Sequence, residues 1–136
     1  MSNWVGGNGD TPANGYRGYW GLGANFMVFR KLSNMPVPGP AMTFVLLDER
    51  QDSINDGYLV TEMDGYPNTA RTKIVDYPAS YHGGAAGFAF CDGHSEIHKW
   101  RDGRTMPPIK KGLPLNVSTP NNLDVFWMQD HSTRAN

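Results

Sequence analysis

The stretch Tyr81–Trp100, "YHGGAAGFAFCDGHSEIHKW", decides the fold. Two runs of strand-forming residues, "AGFAFC" (86–91) and "HSEIHKW" (94–100), flank Asp92-Gly93. An Asp-Gly pair between such runs is among the strongest short-range hairpin signals, because a type I′ turn needs positive φ at both central residues. A two-residue turn pairs Cys91 with His94, Phe90 with Ser95, Ala89 with Glu96 and Phe88 with Ile97. Alternate residues share a face of a strand, so Phe88, Phe90 and Ile97 are expected on a core face. Gly87, Ala89, Cys91, His94, Glu96 and His98 fall on the other.

Outward from the hairpin, "AMTFVLLD" (41–48) reads as a buried strand, a short apolar run between a proline and acids. "GYLVTEM" (57–63) alternates like its return strand, and Lys73–Val75 suits a further short strand. "NLDVFWMQDHS" (122–132) predicts a short helix with Asn121 or Asn122 as its cap. "MVFRKLSNM" (27–35) suits a helix or a strand, and "PVPGP" (36–40) breaks regular structure after it. The first quarter, "MSNWVGGNGDTPANGYRGYWGLGANF", is rich in Gly and Asn and reads as turns pinned by Trp4, Tyr16, Tyr19 and Trp20. The expected fold class is α+β: a mainly antiparallel β-sheet with long Gly/Pro-rich loops and a short C-terminal helix. Residues 1–136 read as a single domain.

Composition narrows the function classes. Sixteen glycines and ten prolines make up about a fifth of the 136 residues, against about 12% in average usage. That favours turns over a helical bundle. Six Tyr, six Phe and four Trp supply apolar surface to bury, which disordered chains lack. The formal net charge of −1, with no basic stripe or acidic tail, gives no support to nucleic-acid or anionic-lipid binding. The lone Cys91 excludes an internal disulfide. No apolar run approaches the ~18 residues of a membrane span.

Three constellations carry candidate chemistry. His94, Glu96 and His98 alternate along a strand and line up three metal-ligating groups, about 7 Å between successive members. Convergence on a transition metal at ~2.0–2.2 Å is awkward at that spacing, and a hydrogen-bonded ladder is the simpler use. Asp48, Glu49, Asp52, Asn55 and Asp56 place five oxygen-bearing side chains in a short loop, the ligand type Ca²⁺ needs, with spacing unlike an EF-hand. The plain alternative is that these side chains close turns and that Arg50 pairs locally. Ser80, His82, Asp92 and His94 include the residue types of a nucleophile, base and orienter, but no Gly-x-Ser-x-Gly elbow accompanies them. Cys91, on the small-residue face, is expected to be a packed, inert thiol.

His82, nine residues, then Asp92-Gly93 forms an H-x9-D-G pattern. With "RKLSNMPVPGPAMTFVLLDERQDSINDGYLV", "IVDYPASYHGGAAGFAFCDGH" and "RTMPPIKKGLPLNVSTPNN", it resembles the C-terminal domain of bacterial prepilin-like proteins bearing the H-x9-D-G signature, relatives of the type II secretion major pseudopilin. The resemblance spans roughly residues 20–130. It implies the globular head of a pseudopilus-like filament, periplasmic or cell-surface, meeting other pilin-like subunits or itself. The family's leader and apolar anchoring helix find no counterpart in these residues, so the chain reads as the head alone. Related major pseudopilins bind Ca²⁺ in a head loop, and the segment 48–56 is where that expectation falls. His82 and Asp92 are expected to form a clasp, Asp92 capping the turn while His82 holds the preceding loop. The alternative is a small metal-dependent hydrolase of an ester or lactone, in which Ca²⁺ or His82, Asp92 and His94 activate water. A third reading is a recognition module built on the aromatic first quarter.

Overall fold

The computed structural model describes residues 26–27, 29, 31–55, 57, 59–63 and 65–135. In chain order the regular elements are β1 (Phe44–Leu47), β2 (Lys73–Ile74), β3 (Ala85–Phe90), β4 (Ser95–Lys99), β5 (Val117–Ser118) and α1 (Leu123–Asp130), with short 3₁₀ turns before β1 and before β2. The strands form two antiparallel sheets, one of order β1-β3-β4 and one pairing β2 with β5. The fold is α+β with long irregular connections. Among the described residues no helix is long and apolar enough to cross a membrane.

Two sequence expectations need correction here. The run 41–48 is a sheet edge rather than a fully buried strand: β1 pairs only with β3, and Leu46 stands 69% exposed. Its partner is not 57–63, whose described residues form no strand. That segment satisfies its backbone with side chains instead of a ladder. Val60 N–H donates to Asp76 Oδ2 at 2.7 Å, and the Glu62 carbonyl accepts from Gln129 Nε2 at 2.7 Å. An alternating pattern marks a half-buried extended chain, but only a neighbouring ladder makes it a strand.

The central hairpin forms with a different register from the one the Asp-Gly pair suggests. Ala89 faces Ser95, Phe88 faces Glu96, Gly87 faces Ile97 and Ala86 faces His98. Phe90 N–H donates to the His94 carbonyl at 2.9 Å and Gly93 N–H to the Phe90 carbonyl at 3.0 Å, so the loop has three residues. Gly93 alone in it has positive φ, at 97°. This is a type I turn followed by a left-handed glycine, not a type I′ turn. Because side chains alternate, a slip of one residue exchanges the faces of the whole strand. Ile97 therefore joins Gly87 and Ala89 on the outer face, 71% exposed. His94, Glu96 and His98 move to the face of Phe88 and Phe90.

That inner face is covered by α1. Its core holds Ile74, Tyr77, Phe88, Phe90, Trp100 and Met128, with Trp127 partly buried against them. Asn122 caps the helix as expected, accepting from Asp124 N–H at 3.0 Å and Val125 N–H at 3.2 Å. Its amide also donates to Thr105 Oγ1 at 3.1 Å. The buried Asp124 carboxylate accepts the backbone N–H groups of Arg101 and Asp102. The first turn of α1 is thus fastened to the chain leaving β4, and its acid sits favourably at the helix N-terminus.

Candidate functional site

The face shared by β3, β4 and α1 gathers three of the four histidines. The Asp92 carboxylate accepts from His94 N–H at 3.0 Å and lies 2.6 Å from His94 Nδ1. These bonds hold the Asp92 carboxyl below the usual carboxylate range. The His94 ring lies flat on Phe90, centroids 4.3 Å apart at 8°. Further along β4, His98 stacks on Trp127 at 3.7 Å, and His131 stacks on the same indole at 4.1 Å. His131 Nδ1 reaches back to the Trp127 carbonyl at 2.8 Å. Phe88 meets Trp127 edge to face at 4.9 Å. Burial pushes the His98 imidazole below its ordinary pKa; nearby Asp124 and Glu96 act the other way, and His131 and Arg101 add to the lowering. His98 is therefore a neutral, packed ring at pH 7. The arrangement clamps α1 to the sheet through ring stacking.

His82 and Asp92 are not brought together. Six residues of β3 separate the loop of His82 from the turn of Asp92, about 20 Å at strand rise. The expected clasp therefore splits in two. Asp92 does close the turn, while His82 Nε2 stands 3.7 Å from Asp48 Oδ2, both side chains more than half exposed. Asp48 Oδ2 also accepts from Gly87 N–H at 3.3 Å. A Cβ at position 87 would lie 3.1 Å from that oxygen, so glycine there lets Asp48 approach the sheet. The trio His82, Asp92 and His94 is accordingly no single constellation.

The acidic segment also divides. Asp52 turns inward and is held by Arg50, with Nε to Oδ1 at 2.7 Å and Nη2 to Oδ2 at 2.8 Å. Asp48 serves Gly87 and His82, the backbone of Glu49 pairs with that of Pro78, and Asn55 is exposed; Asp56 lies outside the described residues. Among the described residues no three His, Cys, Asp or Glu are grouped to hold a metal ion. Cys91 is half-buried, its thiol pKa pushed up by burial and by Asp92 beside it, which disfavours the nucleophilic thiolate. Trp4, Tyr16, Tyr19 and Trp20 of the first quarter lie outside the described residues.

Among the described residues, clefts lie on both sides of the sheet. One, of about 600 Å³, lies between the end of β4 and the start of α1, lined by His98, Arg101, Asp124 and Trp127. Its carboxylate, Asp124, is already occupied by backbone N–H groups. The other, of about 560 Å³, runs over the outer face between Leu46 and Ile97, with Gly87 and Ala89 as its floor. Sequence reasoning missed Trp127 and His131. Their spacing of four on a predicted helix was the available signal, since such residues share a helix face. No family model matches the chain, and no curated protein or solved structure matches it.

Proposed function

We propose that the chain is a structural head domain of the prepilin-like, H-x9-D-G kind, a packing module of a pseudopilus or type II secretion-like filament at the periplasmic face or cell surface. One observation carries this reading: the H-x9-D-G stretch is the β3–β4 hairpin of the sheet, and its Asp92 and Gly93 close the turn. Asp92 ties down the turn, Gly93 supplies its positive φ, and Asp48 beside His82 holds the middle of β3 through Gly87. A motif used in this way defines a scaffold, and the scaffold presents surface to neighbouring subunits. Within the acidic segment 48–56, Asp52 is held by Arg50.

The test is a turnover assay of the purified chain on a panel of simple esters and lactones, beside binding assays against pilin-like subunits of its own source. Saturable binding to such a subunit, with hydrolysis no faster than the uncatalysed rate, is the expected result. Hydrolysis that scales with protein concentration and disappears in His82→Ala, with the fold intact, overturns the reading in favour of the hydrolase.

A further inference from the structure

Strand β4 ends its sheet, and among the described residues no strand pairs with its outer edge. The Phe90 N–H donates to the His94 carbonyl and the Trp100 N–H to the Gly84 carbonyl. By the alternation of an antiparallel ladder, the backbone groups of Glu96 and His98 then point to β3, and those of Ser95, Ile97 and Lys99 point away. Ser95, Glu96, Ile97 and Lys99 are all exposed. Neither a proline nor a register shift interrupts the β3–β4 pairing. Among the described residues, neither a proline, a bulge nor a covering strand blunts this edge.

We propose that β4 pairs with β4 of a second copy of this chain, antiparallel about a two-fold axis at Ile97, so that two three-stranded sheets become one continuous sheet. Outward-pointing residues have to oppose one another, which leaves two-fold registers centred on residues 96, 97 or 98. A centre at 96 sets Glu96 against Glu96 of the other copy. A centre at 98 sets His98 against His98 and Ile97 against Lys99. The centre at 97 opposes Ile97 to Ile97, Glu96 to His98 and Ser95 to Lys99. It alone gives two acid–imidazole pairs on one face and an aliphatic contact on the other. Each outward residue also donates one backbone bond across the axis. The sequence Ser-Glu-Ile-His-Lys is thus self-complementary when reversed, and the acid–imidazole pairs together with the Ile97 contact select the register. The pairing is independent of the filament reading, since it rests on the edge alone.

An edge of five residues makes a small interface, so the association is expected to depend on concentration. Sedimentation equilibrium of the full chain should show the mass rising from 15.1 kDa toward twice that value as concentration increases. Ile97→Pro removes an N–H that points away from β3, so it should abolish the dimer and leave the melting temperature near that of the parent. Ser95 is exposed on the outer face and opposes Lys99 in this register, so Ser95→Lys should weaken self-association on the order of tenfold and Ser95→Glu should strengthen it. A parent chain that stays monomeric, a dimer that survives Ile97→Pro, or Ser95→Lys and Ser95→Glu that associate alike each overturns the proposal. If Ile97→Pro fails to fold, the two Ser95 variants decide alone.

Discussion

The replacement Asp52→Asn tests how the loop after β1 is anchored. Arg50 is fully buried and makes three charge-assisted bonds: two to the Asp52 carboxylate and one from Nη1 to the Pro107 carbonyl at 2.7 Å. Asp52 in turn accepts from Lys110 N–H at 3.0 Å and, through its carbonyl, from Leu113 N–H at 3.1 Å. The pair therefore binds two long loops, each without a strand of its own at that point. Chiefly through the Arg50 hydrogen bonds, and against the effect of burial, the Asp52 carboxyl is lowered from 3.8 to about 2. At ~1.36 kcal/mol per unit this corresponds to about 2.4 kcal/mol. Leaving the guanidinium buried without its counter-charge costs about 3–5 kcal/mol by the usual measure of broken buried pairs. The expected loss at pH 7 is thus about 2–5 kcal/mol, a large share of the ~5–15 kcal/mol of a typical domain. Because the folded pKa is depressed, the stabilisation is present above the unfolded value of 3.8 and is lost as pH falls toward 2. Urea unfolding followed by tryptophan fluorescence, at pH 7 and in steps down to pH 2, should show the two proteins converging in acid. A loss under about 1 kcal/mol at pH 7, or a gap that stays constant into acid, refutes the argument.

Phe88→Ala should cost about 3–5 kcal/mol in the same unfolding assay, since the ring is 2% exposed and meets Phe44, Trp100 and Trp127; a loss below ~1 kcal/mol would show that Trp127 does not close on β3. His98 should titrate in an NMR pH series with its midpoint below 6.5, with stability complete above that pH and declining as the pH falls through the folded value. A midpoint above 6.5 would mean that the imidazole is not packed under α1. Adding calcium to the chelator-treated chain should leave the melting temperature unchanged, because both oxygens of Asp52 are bonded to Arg50. A saturating ion bound only to the folded state would instead add about 2.7 kcal/mol at 100 times its dissociation constant, and such a rise would support the calcium reading of 48–56.

Much of the architecture was legible because it rests on local chemistry. Asn122 caps α1 because its side chain reaches two N–H groups of the next turn, and the sequence narrowed the cap to Asn121 or Asn122 without tertiary knowledge. The runs at 41–48 and 86–100 announced strands by composition, and the short strand at Lys73–Ile74 was within reach of the same reasoning. The pairing of β1 with β3 was not, since nothing in 57–63 reveals that Asp76 and Gln129 will claim its backbone. Arg50 stands beside four acidic or amide residues, and neighbours in sequence do not reveal which one turns inward. The fork to Asp52 is a tertiary outcome, fixed by where Pro107 and Lys110 arrive.

The candidate site was misplaced for a narrower reason. Asp-Gly satisfies a two-residue type I′ turn and equally the three-residue loop in which only the glycine is left-handed, so the dipeptide identifies a hairpin without choosing its register. Asp92 is absent from the described non-glycine residues with positive φ, which are Asn116 and Asn121 alone, and this selects the second form. The consequence reaches well past the turn. In the first register Ile97 is a core residue and the three polar groups of β4 face away from Phe88. In the second, Ile97 is free to meet another molecule, while His94 and His98 lie on Phe90 and under Trp127. Stacked this way, His98 becomes part of the packing that holds α1, while His94 lies on Phe90, partly exposed and tied to Asp92. One residue of register thus decides which face of β4 meets α1, and the ladder of Phe90 with His94 turns His98 toward the helix and Ile97 away from it.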